Sequence, residues 1–260
     1  MATTTTTTTT TKQDDTPSLH LHTYFRSSCS ARLRIALRLK RLPHTSTPVH
    51  LLRAEQTSAS YLALNPSGTV PTLTHTITHA HTSPIRTTTN NNPFPAHTIT
   101  ITQSIAALEY LEEAFPGTRR LLPPPTSPAA RAAVRTLVNI IACDIQPLTN
   151  SKPIKAVNAL GHDGQAWARD WTERGLDAFE AALARTQDPA AGGRFSVGEE
   201  VTLADVCLVP AVWAARRWGC AVERWPRVMG VVGWMEGLEE VRAAHWRRQE
   251  DTPEEFRGEE

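Results

Sequence analysis

Ser27, Ser28, Cys29 and Ser30 stand side by side where a short apolar stretch, Leu19 to Phe25, gives way to a helical pattern. From there Ala31, Ile35, Leu39 and Leu42 recur at the spacing of one helix face. Hydroxyls and a thiol at such a junction can hold an anion. The first N–H groups of a helix have no backbone partner, and the dipole there favours negative charge. A thiolate set against a serine hydroxyl would be stabilised at this point. It could belong to Cys29 itself, since a cysteine at a helix start can be reactive, or to a bound thiol with Cys29 as a modulating neighbour. Ser27 and Ser28 also have a plainer reading as N-caps.

Other residues invite chemistry more weakly. Arg216 and Arg217 are a charged pair of the kind that is usually solvated on a helix. His75, His79 and His81 could suggest a metal, but their Thr- and Asn-rich surroundings offer no scaffold to fix a ligand geometry, so a polar loop and no metal site is expected. Thr202 and Asp205 have capping-box spacing, although the box prefers Glu or Gln where Asp205 stands. Cys143, Cys207 and the tryptophans are expected in the core.

The elements that must position these residues fall into two kinds. Residues 1–17 are a Thr tract with nothing apolar to bury, and a disordered tail is expected. Then come a strand (Leu19–Phe25), a helix (about Ser28–Leu42), a strand (Thr47–Leu52) and a short segment around Tyr61. Asn65 to Gly68 reads as a turn, and Val70 to Leu73 as a strand with proline near its start. Residues 74–97, rich in Thr, His and Asn, read as an exposed loop insertion. A strand resumes at His97–Thr102, and a helix runs from Ser104 with Ile105, Leu108, Leu111 and Phe115 on one face. The unit 18–116 is thus α/β with a mixed sheet.

Gly117 to Pro125 is a Pro-rich connector and the expected domain boundary. Residues 126–249 read as all-helical. Ser127 and Pro128 open one helix, and Val134, Leu137, Ile141, Ile145 and Leu148 form a stripe kinked near Pro147. Trp167, Trp171, Leu176, Phe179 and Leu183 form another stripe, and Pro226 to Val241 hold a last helix. The tail 250–260 is acidic and expected to fray.

Composition excludes several classes. With 27 Lys and Arg against 26 Asp and Glu, there is no strong pull on nucleic acid or membrane surfaces. No apolar run approaches the roughly 18 residues of a membrane span. The four cysteines show neither a C-x-x-C pair nor metal-ligand spacing, which suggests reduced thiols and a cytoplasmic location. The N-terminus resembles neither a secretory signal nor an Arg-rich transit peptide.

Several separated blocks resemble the cytosolic glutathione transferases, and most closely their zeta class, the maleylacetoacetate isomerases. They are Phe25 to Arg32; Asn65-Pro66 with Val70 to Leu73; Gln103-Ser104 with Glu109 to Glu112; Ile141 to Leu148; Thr202 to Pro210; and Asp251-Thr252-Pro253. The resemblance implies a thioredoxin-like N-terminal domain that binds glutathione, an all-helical C-terminal domain, and a homodimer. It implies that Ser27 hydrogen-bonds the glutathione sulfur beside Ser28, and that Val70 offers its backbone ahead of a cis-proline. Gln103 and Ser104 would hold the γ-glutamyl end and Gln56 the other end. Gln146 and the Asn150-Ser151 turn would reach the cleft, and Arg217 would face a substrate carboxylate. Two departures stand out. Ala211 and Ala214 occupy positions where the family has Gln and Asn, and the 74–97 insertion lengthens a hairpin the family keeps short.

The implied chemistry is cis–trans isomerisation of maleylacetoacetate, in tyrosine and phenylalanine catabolism, with glutathione regenerated. A free thiol has a pKa of about 8.5. Lowering it by about two units stabilises the thiolate by roughly 2.7 kcal/mol. A serine O–H, helix N–H groups, and the charges of Arg26 and Arg32 are the means present. Conjugation or dehalogenation of small α-halo acids is the alternative within the family. A non-catalytic binding module is the alternative outside it.

Overall fold

A computed structural model describes residues 18–77, 97–187 and 194–258. The chain opens with β1 (Leu19–Thr23), α1 (Ser28–Leu39), β2 (His44–Pro48), α2 (Ala59–Leu64), β3 (Thr72–Ile77), β4 (His97–Ile101) and α3 (Ser104–Ala114). The four strands form one sheet in the order β2-β1-β3-β4. β1 pairs with β2 in parallel and with β3 antiparallel, and β3 pairs antiparallel with β4. This small mixed sheet with its helices is the thioredoxin-like arrangement expected from the sequence. α4 (Pro128–Asn139), α5 (Ser151–Ala159), α6 (Gly164–Thr186), α7 (Leu203–Trp218), α8 (Pro226–Glu236) and α9 (Glu239–Ala244) make up the helical part.

Strand β1 buries Leu19, Leu21 and Thr23 and turns His20 and His22 outward, the period of two that a half-buried strand requires. Helix α1 packs on α3, α7 and α9, so it is enclosed on nearly every side, and even Arg32, Arg34 and Lys40 are buried. Lys40 Nζ meets Glu112 Oε1 at 2.7 Å. Glu112 also accepts the N–H groups of Leu121 and Leu122, at 3.0 and 3.2 Å. The Pro-rich connector is therefore fastened: both leucines are buried, and Leu121 C=O accepts from Leu203 N–H at the start of α7, at 2.7 Å.

Several sequence expectations are corrected. The second strand lies at His44–Pro48, not Thr47–Leu52, and Leu51–Arg53 is a turn of 3-10 helix. Residues 74–77 are the last four of the six residues of β3, paired with β4, so the loop insertion cannot begin at 74. His75 belongs to that strand, with Nδ1 2.7 Å from the Tyr110 hydroxyl. The Thr tract, residues 78–96 of the insertion, and His79 and His81 lie outside the described residues. The last helix is two, α8 and α9, separated at Gly237 and Leu238. Cys143 and Trp234 are exposed, not core. The tail does not fray over 250–258: Thr252 is buried and Asp251 accepts from Phe25 N–H.

The stripe on α4 kinks through a π-helical turn, Ile140–Ile145, just before Pro147. α6 crosses this turn at Gly175, where an added Cβ would stand 2.5 Å from Ile145 Cδ1. Gly175→Ala is expected to lower stability by about 1–3 kcal/mol through overpacking. A urea midpoint equal to wild type would show instead that Ile145 can move aside.

Candidate active site

The strand β1 ends at Thr23, and a tight turn, closed by Ser27 N–H on Tyr24 C=O at 3.0 Å, delivers the chain to α1. Ser27 is the N-cap of α1: its Oγ accepts from Ser30 N–H at 3.1 Å. Ser28, the other candidate cap, is the first helical residue. Capping uses Ser27 only as an acceptor. Its O–H remains a donor, since a hydroxyl carries one donor and two acceptor positions. The two uses proposed for Ser27 are therefore compatible in one side chain.

In front of this helix start lies a cleft of about 360 Å³ between the sheet unit and the helical part. The N-terminal unit contributes Ser27, Ser28, Cys29, Gln56 and Val70. From the helical part come Gln146, Asn150 and Ser151, with Arg217 from α7. Val70 precedes a cis peptide to Pro71. Asn150 caps α5, its Oδ1 accepting from Ser151 N–H at 2.9 Å. Across the opening, Lys152 Nζ donates to Ser67 C=O at 3.3 Å.

Two expected residues are not brought into this cleft. Gln103 sits exposed at the N-cap position of α3, and Ser104 is buried behind it. The Ser104 hydroxyl is drawn inward because it accepts from Arg32 Nη1 at 3.1 Å, and that guanidinium is 2 % exposed.

The electrostatics of the cleft are one-sided. Arg26, Lys152, Lys155 and Arg217 line it, and no Asp or Glu does among the described residues. Arg216 and Arg217 separate: Arg216 Nη1 pairs with Glu236 Oε1 at 2.8 Å, away from the cleft. Arg217 donates to Trp213 C=O at 3.2 Å and lies over the Trp246 ring at 5.6 Å. Its neighbour His245 carries no charge at neutral pH, because burial pushes its pKa down to about 4. Sequence reasoning missed Lys152 and Lys155. Their spacing on one face of α5, directly after the Asn150-Ser151 turn, was the signal available.

The four cysteines differ in kind. Cys29 lines the cleft, and all four are free. Burial pushes the Cys207 thiol up to about 11, which leaves it inert. The residues present fit a small peptide thiol. Gln56 Oε1 is buried without a partner beside the cleft. Val70 lines it, and the serine O–H stands at the positive end of a helix.

Comparison with known proteins agrees with this geometry. The glutathione S-transferase N-terminal domain model matches residues 26–114, and the C-terminal domain model matches residues 169–244. Maleylacetoacetate isomerase maiA of Aspergillus fumigatus is 51 % identical over 93 % of this chain and 96 % of its own. The holo structure of a bacterial zeta-class maleyl pyruvate isomerase superposes with a TM-score of 0.75 at 35 % identity, covering 90 % of this chain and all of its own. Maleylacetoacetate isomerase from Anaeromyxobacter dehalogenans, with bound GSH in its active site, gives 0.74 at 34 % identity over 91 % and 98 % of the two chains. The chain belongs to the glutathione S-transferases, a family of enzymes, and within them to the zeta-class maleylacetoacetate isomerases.

Proposed function

We propose that the protein is a glutathione-dependent cis–trans isomerase that converts maleylacetoacetate to fumarylacetoacetate. The observation that carries this is the cleft itself. A capping serine whose O–H is still available faces a helical wall bearing Arg217, in a lining that among the described residues has four cations and no carboxylate. Bound glutathione would supply the nucleophilic sulfur whose reversible addition lets the substrate double bond turn. The chain's own residues do the rest. Ser27 donates to negative charge at the sulfur position, and the unsatisfied N–H groups of the first turn of α1 add their field. Gln56, Val70 and Gln146, with the Asn150-Ser151 turn, form the walls that orient the peptide. Ser28 and Cys29 flank the sulfur position, and Cys29 modulates it. Gln103 and Ser104, at the head of α3 outside the cleft, make no contact with the peptide in this reading.

Arg217 holds a substrate carboxylate as a planar two-pronged donor. Arg217→Ala is expected to raise KM for the diacid substrate about 30-fold, about 2 kcal/mol, with glutathione affinity little changed. Steady-state kinetics with each substrate varied in turn would read this. An unchanged KM would move the carboxylate site elsewhere.

The test of the reading is the rate of isomerisation with and without glutathione. Equal rates would discard it. Ala211 and Ala214 form a small, apolar stretch of the cleft wall, and this favours one second reading, dehalogenation of small α-halo acids. Turnover of such an acid exceeding that of maleylacetoacetate would prefer it. The family resemblance also supports a cytosolic homodimer acting in aromatic amino-acid catabolism. Sedimentation at micromolar concentration tests the dimer.

A further inference from the structure

The C-terminal segment returns to the active-site turn. After α9 the chain crosses back to the turn that leads into α1. Asp251 Oδ2 accepts the Phe25 N–H at 2.8 Å. Thr252 is buried, and its hydroxyl donates to Trp246 C=O at 2.6 Å. Phe256 stacks on Phe25, with ring centroids 6.4 Å apart and planes 25° from parallel. The Arg26 guanidinium lies over the Phe256 ring at 5.5 Å.

Arg34 grips the same turn from inside. This α1 residue is 3 % exposed. Its Nη1 donates to Thr23 Oγ1 at 3.0 Å and to Tyr24 C=O at 3.3 Å, and its Nη2 to Phe25 C=O at 3.1 Å. Its Nε reaches Ala244 C=O in α9, at 3.2 Å. Burial weakens its hold on the proton and the Asp251 charge opposes that loss, leaving the guanidinium at about 9. Between them, Asp251 and Arg34 take up both the N–H and the C=O of Phe25, two residues before Ser27.

We propose that Asp251 and Phe256 of the C-terminal segment are positioning residues for the active site: working against Arg34, they clamp the Tyr24–Ser27 turn and so aim the Ser27 hydroxyl and the start of α1 into the cleft. The proposal rests on the isomerase reading. It gives the acidic tail a task that composition did not suggest. A hydroxyl displaced by about 1 Å can lose up to about a hundredfold in rate, so a clamp on the preceding residues matters to the chemistry and not only to stability.

The full chain carries the test, with Asp251→Ala and Phe256→Leu as variants that break different contacts of one clamp. Glu255→Gln serves as a charge control in the same segment. Two readouts are used: the ultraviolet titration of glutathione thiolate bound to the protein, and amide hydrogen exchange of residues 25–30 in the free protein. In both clamp variants the thiol midpoint is expected to move back towards its value in buffer. Exchange should accelerate, and kcat should fall about tenfold, while KM for glutathione stays within about twofold. Glu255→Gln should match wild type in each. If Asp251→Ala does not fold, Phe256→Leu carries the test. Titration or exchange superimposable on wild type in the folded clamp variants overturns the proposal. A wild-type protein whose bound thiol ionises as in buffer overturns the isomerase reading, and this inference with it. A shifted wild type with unshifted variants removes the clamp alone.

Discussion

Ser27→Ala is expected to yield a folded protein whose glutathione-dependent turnover is about 10²–10³-fold lower, the usual cost of removing one preorganised donor to a developing anion. The bound thiol should titrate close to its value in buffer, because about 2.7 kcal/mol of thiolate preference over two pH units is what the site has to supply. Loss of the cap also costs about 1 kcal/mol of stability. Ser27→Asp separates the two effects. Its carboxylate keeps an acceptor for Ser30 N–H, restoring stability, but it brings no donor and repels a thiolate. The expected pattern is recovered melting temperature with activity still lost. If Ser27→Asp restored turnover as well, Ser27 would be a cap and nothing more.

The second large effect is on stability. Asp205 is fully buried and accepts from Ser196 N–H at 2.7 Å, Thr202 N–H at 2.7 Å and Thr202 Oγ1 at 2.9 Å. These bonds close a capping box at the start of α7 and tie it to the preceding loop. Burial pushes the carboxyl up from its ordinary range, and the hydrogen bonds from Ser196 and Thr202 pull it back. Asp205→Ala leaves two backbone N–H groups buried without partners, at about 1–3 kcal/mol each. The expected loss is about 3–5 kcal/mol, a large part of a typical total, and a melting temperature lower by about 10 °C. Because α7 carries Ala211, Ala214 and Arg217 into the cleft, activity should fall with the folded fraction. A loss below about 1 kcal/mol would show that water or a rearranged loop satisfies those groups.

Much of the fold was legible because its signals are local. The alternation of Leu19, Leu21 and Thr23, the hydroxyls before α1, and the Thr202–Asp205 box each involve residues within one or two turns of chain. Misreadings fell where a local pattern had two outcomes. Thr-rich residues 74–77 suit a polar loop by composition and a strand by β-branching, and pairing with β4 decided for the strand. Residue type places Cys143 in the core, but it stands between Ile141 and Ile145, which are buried, and so points to the opposite, exposed face.

The sequence by itself determined a capped helix start rich in hydroxyls, an α/β unit followed by helices, and a family whose members act on thiol chemistry. The resemblance pointed to Arg217 of the Arg216–Arg217 pair, and the tertiary structure supplied the physical reason, since Glu236 claims the other. The tertiary structure alone turned Ser104 towards Arg32, brought Lys152 and Lys155 into the cleft that Arg26 lines, and laid the acidic tail on the turn before Ser27. The physical reason is distance along the chain. A cap is chosen by neighbours three residues away, whereas Asp251 and Phe25 are 226 residues apart and meet only when the whole core has closed between them.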